Sequence, residues 1–381
     1  MKNIRLLTNT LILLLFISQL TAQEIYFPPA GEWQEKEASE YDLNFSEAVE
    51  FAEANEYSES RDLRQAILKG FQSEPYHKLL GPTKRRGGPA GMILKNGYIV
   101  AKWGDTKRVD MTFSVTKSFL STTALIAKDQ NLITGFEEPV INYVWDDTFE
   151  GEHNSKITWK HLLQQNSDWS GQLWGGFDWA DRPSQEKTID EWRSRELHEP
   201  GTYFKYNDVR VNVLAYSLLN VFRMPLPKVL KENIMNPIDA SQSWRWFGYE
   251  NSWTTIDGLK MQSVSGGGHS GGGMFINTED MARFGLLFMN NGTWNGKDLI
   301  SQNLIKESTE ASIPNPNYGY MWWLNSEGDR HMEKIDTSIF YAAGFGGNFI
   351  VVDQKNHMVV ITRWLEPSKF EDFLNLVYKN I

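Results

Sequence analysis

The chain has 381 residues, of which 41% are hydrophobic and 13% aromatic, with a formal charge of -10 at pH 7 and no cysteine. Such a composition suits a globular protein that buries its own core. The missing cysteines exclude disulfides, thiol catalysis and thiolate metal sites, and the negative balance disfavours nucleic acid and anionic membrane surfaces as partners.

Taken in chain order, Lys2 and Arg5, an apolar run over 11–17 and small residues at Thr21 and Ala22 predict a cleavable signal peptide over residues 1–22. The mature chain, starting near Gln23, is then expected to be exported to the periplasm or secreted. No later stretch approaches the roughly 20 apolar residues of a membrane helix, so a membrane span is not expected in it. Residues 45–71 read as amphipathic helix. MILKNGYIVAKW, ending at Trp103, reads as a hairpin turning at Asn96-Gly97. FSVTKSFLSTTALIAKDQ follows from Phe113, and its apolar positions Phe119, Leu120, Ala124, Leu125 and Ile126 suit a largely buried helix. From 131 to 257 the chain is irregular and rich in tryptophan, with short helical patterns. YGYMWWLN and GGNFIVVDQKNHMVVITRW then read as strands, the latter with a turn at Asp353 to Asn356, before a closing helix over 368–378.

These elements predict an α+β architecture. Residues 23–130 and 262–381 are expected to form a sheet domain, antiparallel strands flanked by helices, with 131–261 inserted as a mostly helical region.

Two serines are followed three residues later by a lysine, about what chance supplies in a chain of this length. Ser184 and Lys187 lie in a polar, proline-flanked segment that reads as surface. Ser114 and Lys117 open the buried helix, where their spacing puts both side chains on one face. Desolvation there favours a neutral lysine amine, a usable base for the Ser114 proton, and the helix N-terminus favours negative charge near Ser114. The bland alternative for the pair is a helix cap and a snorkelling lysine.

The context of TFSVTKSF, with the KNG hairpin before it, resembles the nucleophile segment of the SxxK serine hydrolases. These include class C β-lactamases, D-Ala-D-Ala carboxypeptidases, family VIII esterases and 6-aminohexanoate-oligomer hydrolases. ITWKHLLQQNSDW, PGTYFKYND, GGGMFINTEDMARFG and AAGFGGNFIVVD resemble further family segments in the same order. The resemblance implies a β-lactamase/transpeptidase-like fold and an acyl-enzyme on Ser114. It implies Lys117 and Tyr206 as its catalytic partners, and the backbone N–H groups of Ser114 and Phe345 as oxyanion donors. Tyr206 is preferred over the literal Tyr-x-Asn at Tyr249, because Tyr206 follows Pro200-Gly201 and precedes a helical pattern.

Two departures qualify this resemblance. Asp208 stands where the family has asparagine, and serves either the site or the helix as an N-cap. Ala342-Ala343-Gly344 keeps only the glycine of the third motif, losing the cation and hydroxyl that hold a β-lactam or peptide carboxylate. Lys205 or Arg363 could replace that cation. These departures favour an ester or amide over a β-lactam, and leave β-lactamase or carboxypeptidase activity, or a silent ligand-binding member, as alternatives. His269 is expected to be structural or superficial, although it could face the site. No cofactor or metal is expected, since the seven histidines form no HExxH or closely paired cluster. Trp169, Trp174, Trp179, Trp192, Trp244, Trp246 and Trp253 are read mostly as core, with some available to line an acyl pocket.

Overall fold

A computed structural model describes residues 25–183, 188–328, 330–379 and 381. The segment read as a signal peptide and the Ser184 to Lys187 pair lie outside the described residues. Among those described, no helix is long and apolar enough to cross a membrane.

The hairpin of β1 (Ala90–Lys95) and β2 (Tyr98–Trp103) forms as its turn residues predict. Lys95 pairs with Tyr98, leaving Asn96 and Gly97 at φ 51° and 85°, the left-handed pair that a two-residue hairpin of matching twist requires. A Cβ on Gly97 would stand 1.8 Å from the Tyr26 carbonyl oxygen, so this turn also needs glycine for space. The short β3 (Asp110–Met111) leads to the nucleophile segment and to α1 (Thr116–Asp129), whose residues from Thr116 to Ala127 are all buried.

The middle of the chain contributes α2 (Asp208–Phe222) and then strands β4 (Arg245–Ile256), β5 (Leu259–Val264) and β6 (Gly273–Ile276). The β4–β5 ribbon begins inside the stretch read as mostly helical. With β3 and β6 it makes a second sheet in the order β3-β6-β4-β5. Its aromatic sequence RWFGYENSWTTI lacks strict alternation because β4 slips register between Gly248 and Trp253.

After α3 (Thr278–Met289) come β7 (Trp323–Leu324), β8 (Phe340–Gly344), β9 (Asn348–Asp353) and β10 (Met358–Arg363), and α4 (Phe370–Val377) closes the chain. The main sheet runs β7-β8-β9-β10-β1-β2 and is antiparallel throughout. Its first and last sequence segments meet in the middle, where β1 pairs with β10. Alternating side chains serve two cores. Met92, Leu94, Ile350, Val352, Val359 and Ile361 face α1 and α3, while Ile93, Val351 and Val360 face the terminal helices, including α4. Residues 45–71 are two helices, Ser46–Ala54 and Leu63–Gly70, broken by a polar stretch in which Asp62 caps the second.

The result is the β-lactamase/transpeptidase-like α+β fold expected from the sequence. The first turn of α1 is anchored where Phe119 stacks on Phe284 of α3 at 3.9 Å, and the Ser114 turn sits where the two sheets converge.

Candidate active site

Ser114 lies in the single 3₁₀ turn Phe113–Val115 that runs into α1. Phe113 holds φ 51°, a strained value for a bulky side chain. Its ring is fixed by Phe345 at 5.1 Å and by Trp364 at 6.4 Å, packing that offsets the strain and aims the next residue into the cleft.

Lys117 lies one turn further on, with only 1% of its side chain exposed. Its Nζ donates to Ser114 Oγ at 2.9 Å and to Asp208 Oδ1 at 2.6 Å. The other Asp208 oxygen accepts from Arg182 Nη1 at 2.8 Å. Asp208 is therefore not the helix cap. That role falls to Asn207, whose Oδ1 accepts from the Arg210 N–H at 3.0 Å while its amide donates to the Asp178 carbonyl at 2.6 Å. The cap orients the first residue of α2 toward Lys117.

Burial alone would lower the Lys117 pKa, but the adjacent Asp208 charge, helped by Tyr206, outweighs it and holds the amine above its usual value. The neutral amine expected from desolvation is thus corrected: the resting lysine is an ammonium. Burial would likewise raise Asp208, but the Lys117, Arg182 and His269 charges hold its carboxyl well below the usual range.

Room for this ion pair depends on Gly267. A Cβ there would fall 1.8 Å from Asp208 Oδ1 and 2.3 Å from Lys117 Nζ. Tyr206 presents its ring to both cations, with Lys117 Nζ 4.6 Å and Arg182 Cζ 5.3 Å from the centroid, and stacks on Trp323 at 5.6 Å. Tyr249 is buried in β4, and its hydroxyl accepts from the Ser270 N–H at 3.3 Å.

Gly344 ends β8 against the nucleophile turn, so close that a Cβ would stand 2.0 Å from the Thr112 carbonyl oxygen. This contact brings the Phe345 backbone beside Ser114. Among the described residues, neither the Ser114 nor the Phe345 N–H donates to a protein acceptor. The cleft over these groups has a volume of about 1020 Å³ and is walled by aromatic side chains including Phe71, Tyr206, Trp323, Tyr341 and Phe349. The tryptophans considered from sequence as an acyl pocket are not among its walls; Trp323, from β7, is.

Arg363 does not replace the missing cation of the third motif. It is buried, donates to the Ile276 and Met111 carbonyls, and burial pushes its pKa down to about 10. Lys205 borders a separate small cavity with Asp168 and Arg195. Two arginines line the cleft instead: Arg182, which sequence reading left in a surface segment because nothing local marks a loop arginine as inward, and Arg330, whose guanidinium lies 3.9 Å from the Trp323 ring. His269 is buried rather than superficial: Nε2 meets Glu74 Oε2 at 2.6 Å, and Nδ1 lies 3.2 Å from Arg182 Nη2 and 3.6 Å from Asp208 Oδ2.

Residues 82–367 match the protein-family model described as Beta-lactamase. The chain belongs to that family. A protein of Escherichia coli O157:H7, provisionally named a D-alanyl-D-alanine carboxypeptidase, is 23% identical over 342 residues, covering 75% of this chain and 74% of its own. Among solved structures, a Bacillus anthracis protein provisionally named a 6-aminohexanoate-dimer hydrolase superposes with a TM-score of 0.56 at 15% identity, covering 94% of this chain and 89% of its own. A family VIII carboxylesterase gives a TM-score of 0.56 at 16% identity, over 84% of this chain and 96% of its own. At these identities the structural likeness establishes the fold. Family membership makes this chain a β-lactamase-related hydrolase.

Proposed function

We propose that this hydrolase cleaves an ester or amide through an acyl-enzyme on Ser114, after export to the periplasm or beyond. The observation that carries the reading is the 2.9 Å contact from Lys117 Nζ to Ser114 Oγ at the wall of an aromatic cleft. Lys117 enters as a cation that orients Oγ and stabilises the charge developing on it. The first proton then passes to Tyr206, which must enter as its phenolate to accept it, a form that the Lys117 and Arg182 charges beside its ring stabilise. Ser114 Oγ bonds to the acyl carbon, the oxyanion is held by the Ser114 and Phe345 N–H groups, and Tyr206 returns the proton to the leaving alcohol or amine. Water, losing a proton to the same group, releases the acid and restores Ser114.

Ala342 and Ala343 offer no cation or hydroxyl to a substrate carboxylate, and Arg182 is already engaged by Asp181 and Asp208. Both facts support a neutral acyl ester or amide over a β-lactam, whose carboxylate would have Arg330, at the Trp323 wall, to meet. Treatment with a fluorophosphonate followed by mass spectrometry should place the adduct on Ser114, and Ser114→Ala should lose both adduct and hydrolysis. Labelling elsewhere with unchanged hydrolysis in Ser114→Ala would overturn the assignment. Across p-nitrophenyl esters, linear amides, D-amino acid amides and nitrocefin, an ester or linear amide should be turned over fastest. Nitrocefin hydrolysis matching the best ester would refute the preference.

A further inference from the structure

His269 has two differently occupied sides. Its Nδ1 faces Arg182 and Asp208, and its Nε2 faces a second group of donors that the acyl-transfer scheme does not use. Glu74 and His77, three residues apart after the Leu63–Gly70 helix, complete this group. The Glu74, His77 and His269 side chains are 8%, 5% and 8% exposed. One donor atom from each lies within 4.8 Å of the others.

The spacing suits a small N/O-ligated cation. His269 Nε2 is 2.6 Å and His77 Nδ1 is 3.9 Å from Glu74 Oε2. Tetrahedral zinc, with bonds of about 2.0–2.1 Å, separates its ligand atoms by about 3.3 Å, so an ion would replace the His269–Glu74 hydrogen bond, widening that contact and closing the one to His77. Asp181 Oδ1, 3.7 Å from His269 Nε2, is a further carboxylate within reach. The His77 Nε2 atom is buried without a hydrogen-bond partner, so the protein's own groups leave this ring incompletely satisfied. Phe71 packs on both imidazoles, at 4.0 Å from His269 and 5.2 Å from His77, and supplies an apolar wall.

We propose that Glu74, His77 and His269 bind one zinc-like divalent ion, and that its binding inhibits the hydrolase. When a metal takes Nε2, the His269 proton must reside on Nδ1, which then donates toward Asp208 Oδ2 and no longer accepts from Arg182. This is the carboxylate–histidine–metal arrangement that orients ligating imidazoles. Asp208 is the partner of Lys117, so occupancy reaches Ser114 through two contacts. The inhibition rests on the proposed roles of Ser114 and Lys117; the metal site does not.

Equilibrium dialysis of the mature chain with zinc chloride should give one saturable equivalent, and cobalt(II) should develop the visible absorption of a tetrahedral N/O site. Glu74→Gln and His77→Gln should weaken zinc binding by at least the roughly 10–100-fold that loss of an outer-shell partner costs. Ser114→Ala should bind as the wild type does, which separates this site from the hydrolase reading. His77→Gln should keep its hydrolysis and lose sensitivity to zinc. No saturable zinc and no cobalt band in the wild-type chain would overturn the site, as would His77→Gln binding zinc with wild-type affinity. Zinc bound at one equivalent with hydrolysis unchanged would overturn the inhibition.

Discussion

Asp208 is one carboxylate between buried Lys117 and half-buried Arg182, and its replacement separates two effects. Asp208→Ala leaves Lys117 and Arg182 without their shared anion and should cost about 3–5 kcal/mol, measurable by urea unfolding. Asp208→Asn keeps the shape but removes the charge that offsets burial of Lys117. Its amine should then deprotonate at lower pH, and the pH–rate profile should move in the acid direction. The native pair has defined limits. The depressed Asp208 pKa contributes stability above about pH 4 that is lost as pH falls through its folded value. The raised Lys117 pKa contributes stability below about pH 10 that is lost as pH climbs past its own. Thermal stability in buffers between these limits should therefore show no step from this pair. Gly267→Ala places a methyl group on the pair itself and should lower kcat/KM by at least about 10²-fold, the scale of loss expected when reacting groups shift by an ångström.

Elements matter here through their ends. Both ends that build the site are turns: the 3₁₀ turn entering α1 presents Ser114, and the Asn207 cap entering α2 presents Tyr206 and Asp208. Asn207→Ala should cost about 1–2 kcal/mol for the lost cap and lower activity as Asp208 loses its register against Lys117. Circular dichroism melts and ester hydrolysis on the same samples would check both; full activity with a normal melt would contradict the cap's positioning role. Sequence reading recovered these elements well where periodicity was strong. The KNG hairpin, the buried helix after Ser114 and the strands around Asp353 to Asn356 are local patterns with local causes. It missed the β4–β5 ribbon, because a bulged, aromatic strand in a second sheet does not alternate.

For the whole molecule, the segments leading to α2 are pinned by charge rather than by apolar packing alone. Arg210 Nη2 reaches Asp168 at 2.7 Å and Asp178 at 3.0 Å, and Arg195 reaches the same two carboxylates, tying Asp168, Asp178 and Arg195 to α2. Arg210→Ala should leave two buried carboxylates short of a partner. It should open this region selectively, seen as faster amide exchange over 168–182 while the main sheet stays protected. Equal acceleration in both would show that the network carries global rather than local stability.

By itself the sequence determined the class of fold and the order of the family's motifs and singled out the Ser114 segment, because each is written in short-range spacing: i to i+3, a two-residue turn, a period of two. Tertiary structure alone decided the ionic surroundings. Asp208 became the partner of Lys117 and not a cap, Lys117 is charged and not neutral, and Arg182 and Glu74 took opposite sides of the His269 ring. Those outcomes depend on charges brought together from positions up to 195 residues apart. Electrostatic energy depends on distance in space and on burial, and neither can be read from neighbours along the chain.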